Sequence, residues 1–347
     1  MSWQPISIDE LAREARAFDD AVMRTADIDY FCSSSDWVIP AHVGLMPERT
    51  PWIRRDERGY VAMAIGEGPE GERLLQPLEA CWGLGSPFVG DDPQALVWNF
   101  MEECLDKRDA WDGILITGIR QDSLLFKLLV TAFGAAAGFR IYLGPPTQRF
   151  AASLRGGVDG FLSRRSRNFR RALRRAQKRI QDSDVEFITI DNHGQNAADL
   201  DALYDRILRV EERSWKGMSA TGLESEPMRA FYRDMLPRIY HRGAMRLIFA
   251  RRPGPDGPED IGYVLGAVLN NSYRGLQFSF DARFRELSVG NLLQYQQIAH
   301  LCDEGIEEYD LGTEAMYKER WAEGGLHTAS MIIRPPSHSD VYDDEHR

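Results

Sequence analysis

The chain has 347 residues, 43% of them apolar and 27% charged, and a formal net charge of −11. That length exceeds one ordinary core and predicts two domains. The acidic balance excludes a protein that coats nucleic acid through general basicity, and no apolar run approaches the ~20 residues that span a bilayer.

Ile8 to Arg24 is spaced for one helix, with Leu11, Ala15, Phe18 and Val22 on a common face. Tyr60 to Ile65 and Arg73 to Cys81 read as strands joined by a Gly-rich turn. Asp92 to Lys107 and Asp122 to Ala137 are predicted helices on either side of a buried strand, Trp111 to Thr117. Phe139 to Leu143 is another strand, ended by Pro145-Pro146.

A cationic segment comes next. Nine of the sixteen residues from Arg164 to Arg179 are Arg or Lys. Arg164, Arg167, Arg171, Arg174 and Lys178 recur at helical spacing, beside an apolar stripe of Leu162, Phe169, Leu173, Ala176 and Ile180. The pattern predicts a helix over 161–180 that docks on a core while presenting a row of positive charge.

Beyond it, Val185 to Ile190 alternates like a strand, and Asp199 to Trp215 and Pro227 to Tyr240 have helical period. Met245 to Ala250, Ile261 to Leu269 and Gly275 to Phe280 are successive strands, with Asn270-Asn271 at a reversal. Asn291 to Asp303 is a predicted helix, Glu308 to Leu311 a short strand, Glu314 to Ala322 a short helix and Thr328 to Ile333 a last strand.

Several chemistries are disfavoured. Cys32, Cys81, Cys104 and Cys302 are far apart, and the seven histidines form no HxH or HExxH, which argues against a metal site. No serine lies in a GxSxG elbow. Gly66-Glu67-Gly68-Pro69-Glu70-Gly71 spells GxGxxG, but strand-like sequence follows where a dinucleotide site needs a helix, so a hairpin turn is expected. Met1 to Glu10 lacks the basic and apolar stretches of a signal peptide, and the scattered cysteines suit a reducing compartment. A cytoplasmic location is expected.

The segment Arg283-Phe284-Arg285-Glu286-Leu287-Ser288-Val289-Gly290-Asn291-Leu292-Leu293 leaves a strand and opens a helix, as anion binding by free backbone N–H groups requires. An ordinary helix cap is the competing reading. The strand order and this turn together resemble the GNAT acyltransferase superfamily. Arg285 to Gly290 is similar to its Arg/Gln-x-x-Gly-x-Gly/Ala turn, with Ser288 in place of the first glycine. More closely the chain resembles the CelD/FemAB-like branch, in which two GNAT-like lobes share one chain. Ser288 to Leu293 matches its S-x-G-x-L-L turn, and Asp310-Leu311-Gly312 with Tyr317-Lys318 its closing D-x-G and Y-K.

The resemblance implies an α/β (α+β) fold of two tandem lobes, 1–152 and 153–347, each a mixed sheet flanked by helices, with the Arg-rich helix at their junction. It implies an acyl-CoA co-substrate, in the simplest case acetyl-CoA, held by Phe280, Arg285, Leu287, Ser288, Val289, Gly290, Asn291 and Leu292, and no metal. Transfer would go to an amine acceptor, small or peptidic. Tyr317 corresponds to the tyrosine that protonates a departing thiolate, or is a buried phenol with one hydrogen bond. Asp281 is a proton acceptor or a turn-starting aspartate. Lys318 meets a phosphate or carboxylate, or is a solvated residue, and Glu314 is a further base candidate. Trp215-Lys216-Gly217 faces the acceptor pocket or forms core. Two other functions stay open. One is an aminoacyl-tRNA donor tracked by the basic helix 164–179, as in the Fem transferases. The other is a non-catalytic binding protein with a degenerate site.

Overall fold

The computed structural model describes residues 3–190, 200–214, 223, 225–313 and 315–335. The chain divides into two compact units, Met1–Thr147 with His327–Arg347, and Gln148–Leu326.

The first unit is built on strands β1 (Gln4–Ile6), β2 (Thr50–Asp56), β3 (Gly59–Glu67), β4 (Arg73–Pro77), β5 (Phe88–Gly90), β6 (Gly113–Ile119) and β7 (Arg140–Leu143), joined by β14 (His327–Arg334). Its order is β1-β2-β3-β4-β6-β14, with β5 on β3 and β7 on β14. Among the described residues, the β4–β6 pair is parallel and the other strand pairs cited are antiparallel. The expected GxGxxG hairpin is there: Gly66 pairs with Leu74 across an antiparallel turn. The predicted first helix is broken at Glu14 into α1 (Ile8–Arg13) and α2 (Ala15–Arg24). Then follow α3 (Tyr30–Ser33) and α4 (Ser35–Pro40), α5 (Pro93–Asp106), and α6 (Leu124–Leu129), which runs into a π-helical turn. Asp92 caps α5 and Pro93 opens it, a pairing that suits a first turn with no N–H partner to lose. Trp52, Phe88, Phe100, Phe133 and Met331 meet in the core. Met331 comes from the far end of the chain. The last strand, expected in the second lobe, therefore completes this unit, because its alternating Ala329, Met331 and Ile333 need an apolar face to bury.

The second unit has the sheet order β8-β13-β12-β11-β10-β9, from β8 (Thr147–Ser153), β9 (Glu186–Ile190), β10 (Met245–Gly254), β11 (Gly257–Leu269), β12 (Ser272–Phe280) and β13 (Glu308–Thr313). Asn270 and Asn271 both take positive φ, as a two-residue hairpin demands, and join β11 to β12. Helices α7 (Gly157–Ser163), α8 (Arg167–Gln181) and α11 (Val289–Asp303) cover one face. Helices α9 (Leu200–Glu212) and α10 (Glu226–His241) cover the other. The alternation of β10 and β11 supplies both cores: Ile248 and Val264 meet α11, while Phe249 and Tyr263 turn toward α9.

The predicted helix 161–180 is two helices, broken at Arg164 to Ser166. Ser166 Oγ accepts from Phe169 N at 3.1 Å and starts α8 anew. Arg164 thereby leaves the cationic stripe, and it and its neighbour Arg165 pair with Glu323. Of the predicted helix Glu314 to Ala322, the described residues 316–321 form turns instead.

Candidate active site

Strands β12 and β13 run parallel for only three rungs, Ser272 to Arg274 against Glu308 to Asp310. Beyond these, β12 pairs only with β11 and β13 only with β8, so the two strands part. Each carries a bulge at the parting. Leu276 is extra between Gly275 and Gln277, and Leu311 is extra between Asp310 and Gly312. A bulge adds twist and leaves the extra residue's backbone out of the ladder. The result is an opening that widens toward the ends of both strands.

The chain leaving β12 reaches α11 through a 3-10 turn, Ala282–Leu287, and Ser288. Ser288 holds φ +58, a left-handed conformation that costs a non-glycine residue about 1 kcal/mol. Glycine at that place in the related turn answers the same demand. The Ser288 side chain caps none of the first-turn N–H groups of α11. Its Oγ instead accepts from Arg179 Nη2 at 2.7 Å. Asn291 Oδ1 accepts from Arg320 Nη2 at 3.0 Å. Ser166, Phe169, Leu173, Asn291, Arg320 and Trp321 are among the residues around an adjacent cavity of about 320 Å³. The start of α11 is thus uncapped and flanked by guanidinium groups, one of them from the Arg-rich helix.

The expected binding residues divide by what their side chains do. Val289 and Leu292 are buried, Leu292 against Leu173 and Ala176 of α8, and Leu287 packs on the sheet. Of these only backbone is available to a ligand. Gly290 is also required by packing. A Cβ there would lie 2.9 Å from Phe280 Cδ1 and Cε1, so glycine lets the helix start sit on the Phe280 ring. Arg285 is exposed.

The Tyr317 ring lies 5.7 Å from the Phe278 ring of β12, tilted 54° to it, with 40% of its surface exposed. Burial of the phenol pushes its pKa up to about 12. Lys318 Nζ donates to Thr313 O at 2.8 Å. The structure therefore brings the Ser288 turn, Tyr317 and Lys318 to the same opening.

Asp281 does not join them. It is fully buried, caps the 3-10 turn by accepting from Arg283 N at 2.9 Å, and pairs with Arg283 at 2.6 Å and Arg213 at 3.1 Å. Burial alone would raise its pKa, but hydrogen bonds from Arg283 and the charges of Arg283 and Arg213 outweigh it and hold the carboxyl below the usual range. A carboxylate so held is a poor proton acceptor, and the expectation of a base gives way to that of a turn-starting aspartate. Glu314 and Trp215-Lys216-Gly217 lie outside the described residues.

Two polar clusters were not assigned from sequence. On the α9 side of the sheet, fully buried Glu211 accepts from Tyr263 Oη, and burial, then the Glu211 charge, pushes that phenol far up. At the parting of the strands, Asp310 accepts from Arg149 and, at 2.9 Å, from Arg274 Nη1, and it also accepts from Gly312 N at 2.7 Å. All three charged side chains are buried. Burial, then the Arg274 charge, lowers the Arg149 pKa well below the ordinary value. The predicted strand began at Gly275 and left Arg274 outside it; in the observed β12, Ser272–Phe280, Arg274 is a buried cation that needs a partner. Among the described residues no group of His, Cys, Asp and Glu is placed to hold a metal ion. No described helix is long and apolar enough to cross a membrane.

The acetyltransferase (GNAT) domain family matches residues 164–321, which contain the parting strands, the uncapped turn and Tyr317. Residues 164–321 are therefore matched as a GNAT domain. A crystal structure of FemX matches over 100% of both chains at 11% identity, with a TM-score of 0.64. The C-terminal domain assigned to a lysylphosphatidylglycerol synthetase from Agrobacterium fabrum matches at 15% identity and a TM-score of 0.56, over 98% of this chain and 96% of that one. At these identities the likeness establishes the fold, which is that of the two-lobed, Fem-like GNAT proteins. No curated protein matches in sequence. The GNAT acyltransferase fold accounts for the division of the second unit's sheet: three continuous antiparallel strands, then a fourth and fifth that separate.

Proposed function

We propose that the GNAT domain transfers an acyl group from acyl-CoA, in the simplest case acetyl-CoA, to an amine. The observation that carries this reading is the uncapped, positively flanked start of α11 beside the opening between β12 and β13. Free N–H groups at a helix start suit a pyrophosphate, and Arg179 and Arg285 add positive charge beside them. The thioester would lie along Gly275 to Phe280, where the bulge leaves backbone groups outside the ladder. The amine nitrogen attacks the thioester carbonyl, the C–S bond breaks, and the amine's proton passes to water, since Asp281 is engaged elsewhere. Tyr317 holds its proton up to about pH 12. Full transfer to a thiolate of ordinary pKa, ~8.5, would be uphill. The phenol's role is therefore to donate a hydrogen bond to the charge developing on sulfur, with water supplying the final proton.

Thermal melts of the full chain with and without acetyl-CoA test the reading. Saturation at about 100 times Kd corresponds to ~2.7 kcal/mol of stabilisation. Tyr317→Phe is expected to lower kcat about 100-fold with little change in KM, as for loss of one transition-state donor. Melts unmoved by any CoA thioester, or a Tyr317→Phe variant that turns over like the parent, would sink it.

A second donor is favoured by a separate observation. Arg167, Arg170, Arg171, Arg174, Arg175 and Lys178 of α8 make no ion pair or side-chain hydrogen bond among the described residues. A row of unpaired cations ending beside the Ser288 turn suits an RNA backbone, and so the aminoacyl-tRNA donor implied by the Fem resemblance.

A further inference from the structure

The cavity beside the Ser288 turn has a volume of about 320 Å³ and is lined from three parts of the chain: the first turns of α8, Asn291 in the first turn of α11, and Arg320 with Trp321. Its floor is apolar and fixed. Leu173 and Trp321 are buried, and the Trp321 ring is held edge-on by Phe169 at 4.8 Å and face-on by Phe161 at 6.2 Å. Its rim is polar and exposed, made by Ser166, Asn168 and Arg320. Ala172, also exposed, adds only a methyl group to the lining. None of the described residues that line the cavity is acidic.

An aromatic floor under a polar rim fits a flat heteroaromatic ring better than an alkyl chain, because such a ring has a face to stack and an edge to hydrogen-bond. The rim indicates which edge. Asn168 makes no hydrogen bond among the described residues, so its carboxamide keeps both a donor and an acceptor. A carboxamide pairs with adenine through two hydrogen bonds, whereas guanine is matched by a guanidinium. The guanidinium at this rim, Arg320, is already bonded to Asn291 Oδ1 at 3.0 Å. The connectivity of an acyl-CoA supplies the rest: its pyrophosphate joins the thioester arm on one side to adenosine 3′-phosphate on the other. With the pyrophosphate at the start of α11 and the thioester along β12, the adenosine comes within reach of the cavity, since Asn291 stands three residues from Ser288. Arg167, Arg170 and Arg171 neighbour the lining residues on α8 and supply positive charge for a nucleotide phosphate.

We propose that this cavity is a nucleobase site that holds the adenine of the donor substrate, with Phe169 and Trp321 against the ring and Asn168 on its hydrogen-bonding edge. That the adenine belongs to an acyl donor rests on the acyl-transfer reading; the nucleotide site itself does not. The adenosine phosphate has two possible sources, the nucleotide end of acyl-CoA or the 3′-terminal adenosine of an aminoacyl-tRNA.

Adenosine 3′,5′-bisphosphate probes the cavity in thermal titrations of the full chain. Inorganic phosphate is the control that lacks a base, and guanosine 3′,5′-bisphosphate the control that changes it. The adenosine compound should raise the melting temperature in a saturable way and bind at least threefold tighter than the guanosine compound, while phosphate leaves the melt unmoved. Ala172→Trp, at an exposed position of α8, fills the cavity and should weaken the adenosine compound at least fivefold. Asn168→Ala should weaken it at least threefold and remove its advantage over guanosine. A normal urea transition for Ala172→Trp separates filling from misfolding, and Asn168→Ala decides the matter if that variant fails to fold. Phosphate stabilising as strongly as the nucleotide would overturn the proposal. So would equal binding of the two nucleotides, or a folded Ala172→Trp that loses less than fivefold. Two further comparisons identify the source. For acyl-CoA, the Ala172→Trp penalty should fall on KM for acetyl-CoA and spare acetyl-phosphopantetheine, which lacks the nucleotide. For tRNA, it should fall on an RNA ending in C-C-A and spare the same RNA without its last adenosine. If neither donor is used, the acyl-transfer reading fails while the nucleotide titration still decides the cavity.

Discussion

The GNAT domain contains two groups of cations that composition alone would treat alike. Along α8, six Arg and Lys side chains project from one helix and make no ion pair among the described residues. Where β12 and β13 part, Arg149 and Arg274 are buried and share Asp310. In water a cation costs the fold almost nothing, so the α8 row is free to meet an external polyanion. Inside the sheet each charge must be met, so the buried group constrains the fold. Cations of the first kind should therefore affect binding with little effect on stability, and removal of a partner from the second should affect stability strongly.

The largest expected effect breaks the buried group. Asp310→Ala removes the carboxylate that two buried guanidinium groups share and should lower unfolding stability by about 3–5 kcal/mol in urea titrations. Arg174→Ala on α8 should stay within roughly 0.5 kcal/mol of the parent. Similar losses for both would remove the distinction. The next effect is on binding. Replacing Arg171, Arg174 and Lys178 together by Gln should lower the salt dependence of tRNA affinity by about one unit of log–log slope for each lost phosphate contact. An unchanged slope would remove the RNA reading of α8 and leave acyl-CoA as the donor. The smallest effect lies where the row meets the turn. Arg179→Gln should weaken acetyl-CoA about threefold, in line with loss of one exposed charge near the phosphates, with an unchanged melt in its absence. A much larger loss would show that Arg179 shapes the Ser288 turn rather than adding charge to it.

Much of this domain is legible along the chain because its signals are local. Periodicity marks α9, α10 and α11 to within a few residues, and Asn270-Asn271 marks the hairpin between β11 and β12. The Arg285 to Gly290 turn is readable because backbone conformation and small residues are properties of a few adjacent positions. Tyr317 and Lys318 are readable only through their spacing from that turn. What was misread is non-local. The helix 161–180 looked continuous because its apolar period carries through Ser166, while the chain in fact restarts at that cap. Asp281 was readable as either a proton acceptor or a turn-starting aspartate, because nothing nearby in sequence announces Arg213, which reaches it from just past the end of α9. Nothing near Gly290 in sequence announces that the helix start sits on the Phe280 ring, ten residues away.

The sequence by itself determined the two-unit α/β class, the helix and strand types of the GNAT domain and the turn that opens α11. Hydrophobic period, caps and turn residues act over a few positions and need no partner to be read. Only the tertiary structure decided that β14 completes the first unit, that Leu276 and Leu311 bulge where two parallel strands part, and that Arg149 and Arg274 meet on Asp310. Each depends on strand register or on a meeting of residues tens of positions apart. Those are fixed by which buried surfaces and charges compensate one another, a condition that no single stretch of sequence states.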